Sequence, residues 1–163
     1  MGHHDLDPET GTCGPSSPEE LESLRSLINT WAQAQRSNPI VDAVELVPDS
    51  DPRWFVRVIG EEKSVFSVWF ALRQRTLHVE TYFMPAPLEN AAGLYEYLLR
   101  KSMSLFGLHF AIGLEDAVYL VGQINNAEVT EAECDRLLGT AYVTTEACFR
   151  TAMRLGYGSA FRG

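Results

Sequence analysis

Hydrophobic residues recur at helical spacing in three stretches of the chain. The first stretch opens at Ser17-Pro18-Glu19-Glu20, with Ser at the N-cap, Pro at the first helical position and Glu at N3. This is a capping box. Leucines then follow at spacings of three and four up to Trp31, and the pattern predicts a helix over about residues 18–36.

Two further apolar stripes follow later in the chain. One predicts a helix over about residues 89–106, with Gly107 as the residue after its end. The other opens at a second capping box, Thr130-Glu131-Ala132-Glu133, and continues at helical spacing to Leu155 before Gly156. This last stripe predicts a long helix packed on a sheet.

Between these stripes the period of the apolar pattern changes from helical spacing to two. Alternating or continuous apolar runs bounded by Gly, Pro and Asp clusters predict strands. The predicted strands cover residues 41–47, 54–59, 65–72, 77–84, 109–114 and 117–124, the first of them a weaker candidate. The last two form a hairpin across Glu115-Asp116.

The element order is therefore helix, three strands (four with the weak candidate), helix, two strands, helix. Helices that are apolar on one stripe only are expected to cover one face of a single sheet. The sequence predicts an α+β two-layer fold, with an antiparallel sheet of about five strands and all helices on one face.

Acidic residues are concentrated in the first third of the chain. The 163 residues carry a formal charge of −9, and residues 1–52, with ten acids and two bases, contribute −8. Residues 1–16 are rich in Gly, Pro and acids and are predicted to be a disordered tail. The alternatives are a tail that docks on its own domain and an interaction arm. Residues 17–163 are predicted to form one domain.

This charge balance argues against a general affinity for nucleic acid, because binding to phosphates needs a basic surface. The sequence contains no apolar run of the roughly 20 residues that cross a bilayer, and no signal-peptide pattern. We therefore expect a cytoplasmic protein that binds neither nucleic acid nor membrane. Whether His3-His4 belong to the native chain is left open.

The three cysteines are not spaced as a disulfide framework or a zinc site. Cys134 and Cys148 are 14 positions apart on one predicted helix, about 21 Å at 1.5 Å per residue. A disulfide requires Cα atoms within about 7 Å. We expect both to be core residues, Cys13 to lie in the tail, and the protein to hold neither metal nor cofactor.

Motifs of common enzymes are missing from the sequence: there is no GxSxG, P-loop, GxGxxG or HExxH. His78 and Glu80 share one face of a predicted strand and form the one candidate pair for acid–base chemistry. Glu115 and Asp116 supply too few ligands for a cation and are interpreted as turn residues. No catalytic residue is assigned.

Aromatic and basic side chains in and around the strands are the candidates for binding a partner. Arg53 and Arg57, and a second pair at the turn near residue 74, would form a basic stripe if the strands place them together. The alternative is that they are ordinary charges at strand ends. The proposed partner-binding residues are Trp54, Trp69, Tyr95, Tyr142, Arg57, Arg73 and Arg75.

Several segments resemble the YbjN family. They are Phe106-Gly107-Leu108-His109-Phe110-Ala111-Ile112, Ala117-Val118-Tyr119-Leu120-Val121-Gly122-Gln123-Ile124, the run from Val129 to Gly139, and the run from Phe149 to Tyr157. The element order over residues 18–157 is also similar. The usage of 11 Arg against 2 Lys is typical of a high-GC bacterium such as an actinobacterium.

The resemblance implies a bacterial sensory transduction regulator with a fold similar to type III secretion chaperones, which are small acidic homodimers that hold a segment of a partner protein. It supplies no catalytic residue. Two functions remain open: a non-enzymatic adaptor that binds a protein through its sheet and helix surface, and a sensor with a small-molecule or nucleotide pocket between sheet and helices. An enzyme that uses His78 and Glu80 is a third possibility.

Overall fold

The structure, a computed structural model, describes residues 6–161. Three helices and six strands make up the fold. The helices are α1 (Pro18–Ala34), α2 (Ala91–Ser102) and α3 (Glu131–Tyr157), and the strands are β1 (Val41–Val47), β2 (Arg53–Ile59), β3 (Val65–Leu72), β4 (Thr76–Met84), β5 (His109–Ile112) and β6 (Val118–Asn125). The predicted α+β architecture is confirmed. The sheet has six strands because the weak candidate, β1, pairs with β2.

All six strands are antiparallel, in the order β1-β2-β3-β4-β6-β5. The first four form a meander, and the β5–β6 hairpin joins it through β6, which pairs with β4. The predicted turn residues Glu115 and Asp116 both have positive φ, 58° and 56°. A turn with positive φ at both central residues has a twist that matches the twist of the two strands in a hairpin.

One face of the sheet is packed against the helices. Alternate residues of the central strands point to this face and are buried with apolar residues of all three helices. The sheet's share of this core includes Trp54, Val56, Val58, Phe66, Val68, Phe70, Leu77, Val79, Phe83, Val118 and Leu120. Cys134 and Cys148 are also buried here, as predicted, with 0% and 2% of their surface exposed.

The helix starts follow the predicted caps with one difference. At α1 the Ser17 hydroxyl accepts from the Glu20 N–H and the Glu20 carboxylate accepts from the Ser17 N–H, a complete capping box. At α3 the Thr130 hydroxyl accepts from the Glu133 N–H, but the Glu133 carboxylate accepts from Arg136 at 2.8 Å instead. The guanidinium forms charge-assisted bonds, which are the stronger alternative, and it lowers the pKa of Glu133.

Helix α2 is shorter than predicted and ends at Ser102, so Gly107 is not the residue after its end. The chain bends after Ser102 to reach the sheet, where the Phe110 N–H donates to the Ser102 hydroxyl at 3.0 Å. Gly107 has φ of 84°, and its carbonyl oxygen packs directly on Gly122 of β6, where a Cβ would collide with it. Contact with the sheet therefore sets the end of this helix.

Residues 6–16 lie against the turn between β3 and β4 and against the end of β6, through contacts of Cys13 and Ser16. This is the docked arrangement that the sequence left open as an alternative. Residues 1–5 lie outside the described residues, and the disorder of the 1–16 tail stays a prediction. Among the helices of residues 6–161, none combines the length and apolar character needed to cross a membrane.

Candidate functional site

The face of the sheet that points away from the helices is the candidate site, and we call it the open face. Its residues alternate with the core residues along each strand, and no helix of the described chain packs on it. Its central positions are Phe55, Arg57, Ile59, Val65, Ser67, Trp69, His78, Glu80, Tyr82, Tyr119, Val121 and Gln123.

Two aromatic pairs lie on the open face. Phe55 of β2 and Trp69 of β3 are directly opposite each other in the register and pack edge to face. Tyr82 of β4 and Tyr119 of β6 are likewise opposite, with ring centroids 5.6 Å apart and perpendicular planes. Tyr82 keeps 43% of its surface exposed. Burial raises the pKa of its phenol, and Tyr157, Tyr119 and Glu115 raise it further.

Charged side chains border these aromatic pairs. The Arg53 guanidinium lies 5.4 Å from the centre of the Trp69 ring, within the range of a cation–π contact. Arg57 lies four residues after Arg53 on β2, and its guanidinium pairs with the Asp42 carboxylate at 3.4 Å. Arg53 and Arg57 therefore do share a face, which the sequence had left conditional. Cations border the aromatic surface on its β2 side.

His78 and Glu80 meet on the same face, with Nε2 3.1 Å from Oε2. Their side chains are 23% and 40% exposed. Across the neighbouring strands His78 faces Ala71 and Gln123, and Glu80 faces Trp69 and Val121. These neighbours include no nucleophile and no metal ligand, so the pair has a proton acceptor but no second reacting group beside it.

The described residues contain no group of three or more His, Cys, Asp or Glu side chains that could hold a metal ion. Burial raises the pKa of the Cys134 thiol to about 12, and the nearby carboxylates of Asp135, Glu131 and Glu133 raise it further. A thiol held protonated in this way is a poor nucleophile and a poor metal ligand.

Of the four aromatic residues proposed for partner binding, the structure places only Trp69 on the open face. Trp54 lies on the other face: it is fully buried on the helix side, where its indole N–H donates to the Asn29 side-chain oxygen at 3.2 Å. Tyr142 of α3 is half-buried and stacks on Phe66 of the core. Tyr95 of α2 is half-buried and lines a groove at the sheet edge.

The three proposed arginines are all exposed but do not form one stripe. Arg57 lies on the open face, whereas Arg73 and Arg75 lie at the turn between β3 and β4. There they border a polar cleft that residues 6–16 close on the other side. Arg75 donates to the Cys13 carbonyl at 3.0 Å.

Sequence reasoning missed Phe55, Tyr82 and Tyr119 as surface residues. In β2 both alternating sets, Trp54-Val56-Val58 and Phe55-Arg57-Ile59, carry an aromatic residue, so the period alone does not tell which set is buried. The arginine in the second set was the available signal, because a charged side chain is seldom found in a core.

A second apolar surface lies at the β5 edge of the sheet, between α2 and β5. It forms an open groove of about 320 Å³ lined by Tyr95, Leu98, Leu99, Phe110, Ala111, Ile112 and Val118. The lining residues include no charged side chain that could bind a phosphate. It therefore gives no support to a nucleotide pocket between sheet and helices.

Comparison with known proteins finds relatives in mycobacteria. An uncharacterized protein of Mycobacterium leprae is 31% identical over 116 residues, which cover 71% of this chain and 63% of that protein. An uncharacterized protein of Mycobacterium tuberculosis is 28% identical over 111 residues, 68% of this chain and 61% of that protein. The chain thus spans less than two thirds of the length of these curated relatives. No protein-family model matches it, and the resemblance to the YbjN family stays a prediction.

Among solved structures, the chain is similar to the Yersinia pestis type III secretion chaperone SycH, crystallised in complex with a stable fragment of YscM2. The TM-score is 0.49 at 16% sequence identity, over 75% of this chain and 96% of that chain. A likeness of this size concerns the arrangement of strands and helices and does not extend to what this chain binds.

Proposed function

We propose that this protein is a non-enzymatic adaptor, regulatory or chaperone-like, that binds a segment of a partner protein on the open face of its sheet. Residues 17–163 would act as one folded unit in this role. The observation that carries the proposal is the uncovered face with its two aromatic pairs. An antiparallel sheet normally presents polar residues on a face that only water covers, and contiguous exposed apolar surface marks interaction sites.

The composition of the open face indicates what the partner segment carries. Trp69 and Tyr82 offer apolar ring surface, and Arg53 and Arg57 lie beside it. A partner segment with apolar side chains at its centre and acidic side chains at one flank would match both features. A role in sensory regulation, which the YbjN resemblance implies, would then be exerted through this contact.

Trp69 is a built-in probe for the proposed contact. The other two tryptophans, Trp31 and Trp54, are buried in the core with 3% and 0% of their surface exposed. Peptides selected on the full chain from a displayed library should shift the tryptophan emission to shorter wavelength and protect it from acrylamide. The Trp69→Phe variant should lose both signals, because its remaining tryptophans are already shielded.

Two matched variants test the location of binding. Tyr82→Glu places a charge on the open face and should weaken peptide binding by about tenfold or more, since a desolvated contact at the centre of an interface is worth at least about 1–2 kcal/mol. Val143→Glu makes the same kind of change on α3, at a residue that is 63% exposed, and should leave binding unchanged. Selected peptides that bind Tyr82→Glu as tightly as wild type would refute the open face as the site.

We also propose that the chain forms a homodimer through the β5 edge. Four exposed apolar residues at this edge form a surface that we call the edge patch: Leu99, Met103, Ile112 and Leu114, with 67%, 91%, 54% and 81% of their surface exposed. Among the described strands, β5 is the last of the sheet and pairs with β6 alone. A second copy would cover both the apolar side chains and the unpaired strand edge.

A further inference from the structure

The segment that precedes α1 has a conformation of its own. The Asp7 carboxylate accepts from the backbone N–H groups of Glu9 and Thr10 at 2.8 and 3.1 Å. The Asp7 N–H donates to the Thr12 carbonyl, and the Gly11 N–H donates to the Asp7 carbonyl, both at 2.7 Å. Gly11 has φ of +69°, so the turn requires a backbone conformation that glycine adopts readily.

The turn is held against the sheet by polar contacts of two residues that follow it, Cys13 and Ser16. The Cys13 N–H donates to the Asn125 side-chain oxygen at 2.8 Å, and the Cys13 carbonyl accepts from Arg75 at 3.0 Å. The Ser16 N–H donates to the Gln74 carbonyl at 2.8 Å. The side-chain amide of Asn126 donates to the Ser16 hydroxyl at 3.0 Å. Each contact joins the segment to the β3–β4 turn or to the end of β6.

This position is one end of the open face. Thr76 alternates with His78 on β4 and so belongs to the open face, yet it is only 6% exposed. Asp7, Thr10 and Thr12 form one wall of a polar cleft of about 470 Å³, and the other wall includes Thr76. Residues of the segment therefore lie where a chain running along the open face would reach the sheet end.

The contacts that hold the segment are few and polar. Cys13 is its one buried apolar residue, whereas Leu6 is 58% exposed. Surface hydrogen bonds add little net free energy, since water replaces them when they open. Segments with few buried apolar contacts open locally at a lower free energy than the whole domain.

We propose that residues 6–16 form a displaceable cover over the β3–β4-turn end of the open face, and that a partner segment bound along this face displaces the cover. The second clause rests on the proposed function. The cover's contacts to Arg75 and Asn125 are made by the Cys13 carbonyl and the Cys13 N–H, so the main chain of an incoming segment would replace them.

The reaction rates of the three cysteine thiols measure the opening of the cover, and this measurement needs no partner peptide. Cys13 is the buried apolar residue of the cover itself, while Cys134 and Cys148 lie in the helix–sheet core. In native buffer a thiol reagent such as dithionitrobenzoate should react with one thiol ahead of the other two, and Cys13→Ser should remove that fast phase. Reaction of Cys13 no faster than the two core thiols would overturn the proposal.

Two glycines of the segment provide a matched pair of variants. Gly11→Val strains a residue at φ of +69° and should speed the Cys13 reaction about tenfold, the factor that corresponds to the cost of this backbone region for a residue with a Cβ. Gly14→Val meets no atom within 4 Å and lacks the positive φ, so the rate should stay near that of wild type. Equal rates in the two variants would contradict a docked turn.

Displacement is tested by adding a peptide selected for the open face. A peptide that displaces the cover speeds the Cys13 reaction and binds Gly11→Val more tightly than wild type. A peptide that binds while the Cys13 rate stays constant or falls refutes displacement. If no peptide binds, the proposed function fails, while the thiol rates of the two glycine variants still decide whether the cover exists.

Discussion

The ammonium group of Lys63 contacts backbone carbonyls and aromatic rings, which favour its charge, but it is partly buried, which disfavours the charge. Nζ donates to the carbonyls of Tyr82 and Phe83 at 2.6 and 2.9 Å, where the register of β4 against β6 shifts and leaves backbone without a regular partner. The rings of Phe66, Tyr82 and Phe149 surround it at 5.1 to 5.8 Å. Burial lowers the pKa of Lys63 to about 8, from 10.5.

This lowered pKa predicts a pH dependence of stability. Between about pH 8 and 10.5 the unfolded chain holds a proton on Lys63 that the folded chain has released, so unfolding takes up a proton and becomes less favourable as the pH rises. From pH 7 to pH 10 wild type should gain about 1–3 kcal/mol in the free energy of unfolding relative to Lys63→Met. Urea unfolding at the two pH values measures the difference.

Lys101, the second lysine of the chain, is exposed on α2 and provides the control. The Lys101→Met variant should follow wild type at both pH values. A constant stability difference between wild type and Lys63→Met across this range would show that Lys63 keeps an ordinary pKa in the folded protein.

Residues next to each other in one strand differ in how far the sequence could predict them. Trp54 and Phe55 are both aromatic, and the choice of which one enters the core depends on the helix that packs above β2. Asn29 of α1 accepts the Trp54 indole N–H, and this contact exists only in the folded protein. Cys134 and Cys148, by contrast, were predicted as core residues because the long stripe of α3 leaves a single apolar side.

At the scale of elements, the β2–β3 hairpin is tied to α3 by a carboxylate. Glu146 accepts from the backbone N–H groups of Glu61 and Glu62 at 2.9 Å and of Lys63 at 3.4 Å. A second tie joins Arg150 of α3 to Glu62 at 2.6 Å. The backbone N–H groups of this loop therefore donate to a helix side chain that lies 83 to 85 positions later in the chain.

Removing the carboxylate should loosen this hairpin. In Glu146→Ala, amide hydrogen exchange at residues 61–63 should rise about tenfold, and stability should fall by about 1–2 kcal/mol, because three backbone donors lose a charged acceptor. Glu22→Ala, which removes an exposed glutamate of α1, is the control for the loss of one negative charge. Unchanged exchange at residues 61–63 in Glu146→Ala would mean that the carboxylate does not hold the loop in solution.

Elements whose ends are set by local chemistry were predicted closely. The start of α1 follows from Ser17 and Glu20 alone, since the capping box involves neighbours in sequence. The end of α2 was predicted four residues too late, at Phe106, because Gly107 marks close contact with Gly122 of β6 and not the end of a helix. A glycine that serves a distant contact looks the same in the sequence as one that ends a helix.

For the whole molecule, the edge patch predicts the state of assembly. Light scattering at increasing concentration should show a mass approaching twice the 18.2 kDa of the chain. The double variant Leu99→Glu, Ile112→Glu should stay at the single-chain mass, because four added charges per dimer would be buried at the interface. Val143→Glu, exposed on α3, should dimerise like wild type. A single-chain mass for wild type at high concentration would refute the dimer.

The sequence by itself determined the order of the helices and strands, the α+β class and the acidic first third of the chain. These follow from period, caps and charge, which depend on residues close together. Only the tertiary structure decided which face of the sheet stays open, that residues 6–16 lie on its end, and that Arg73 and Arg75 border that cleft apart from Arg57. Each of these depends on pairing between strands and segments far apart in the chain, and a strand's alternation is the same whichever of its faces the helices cover.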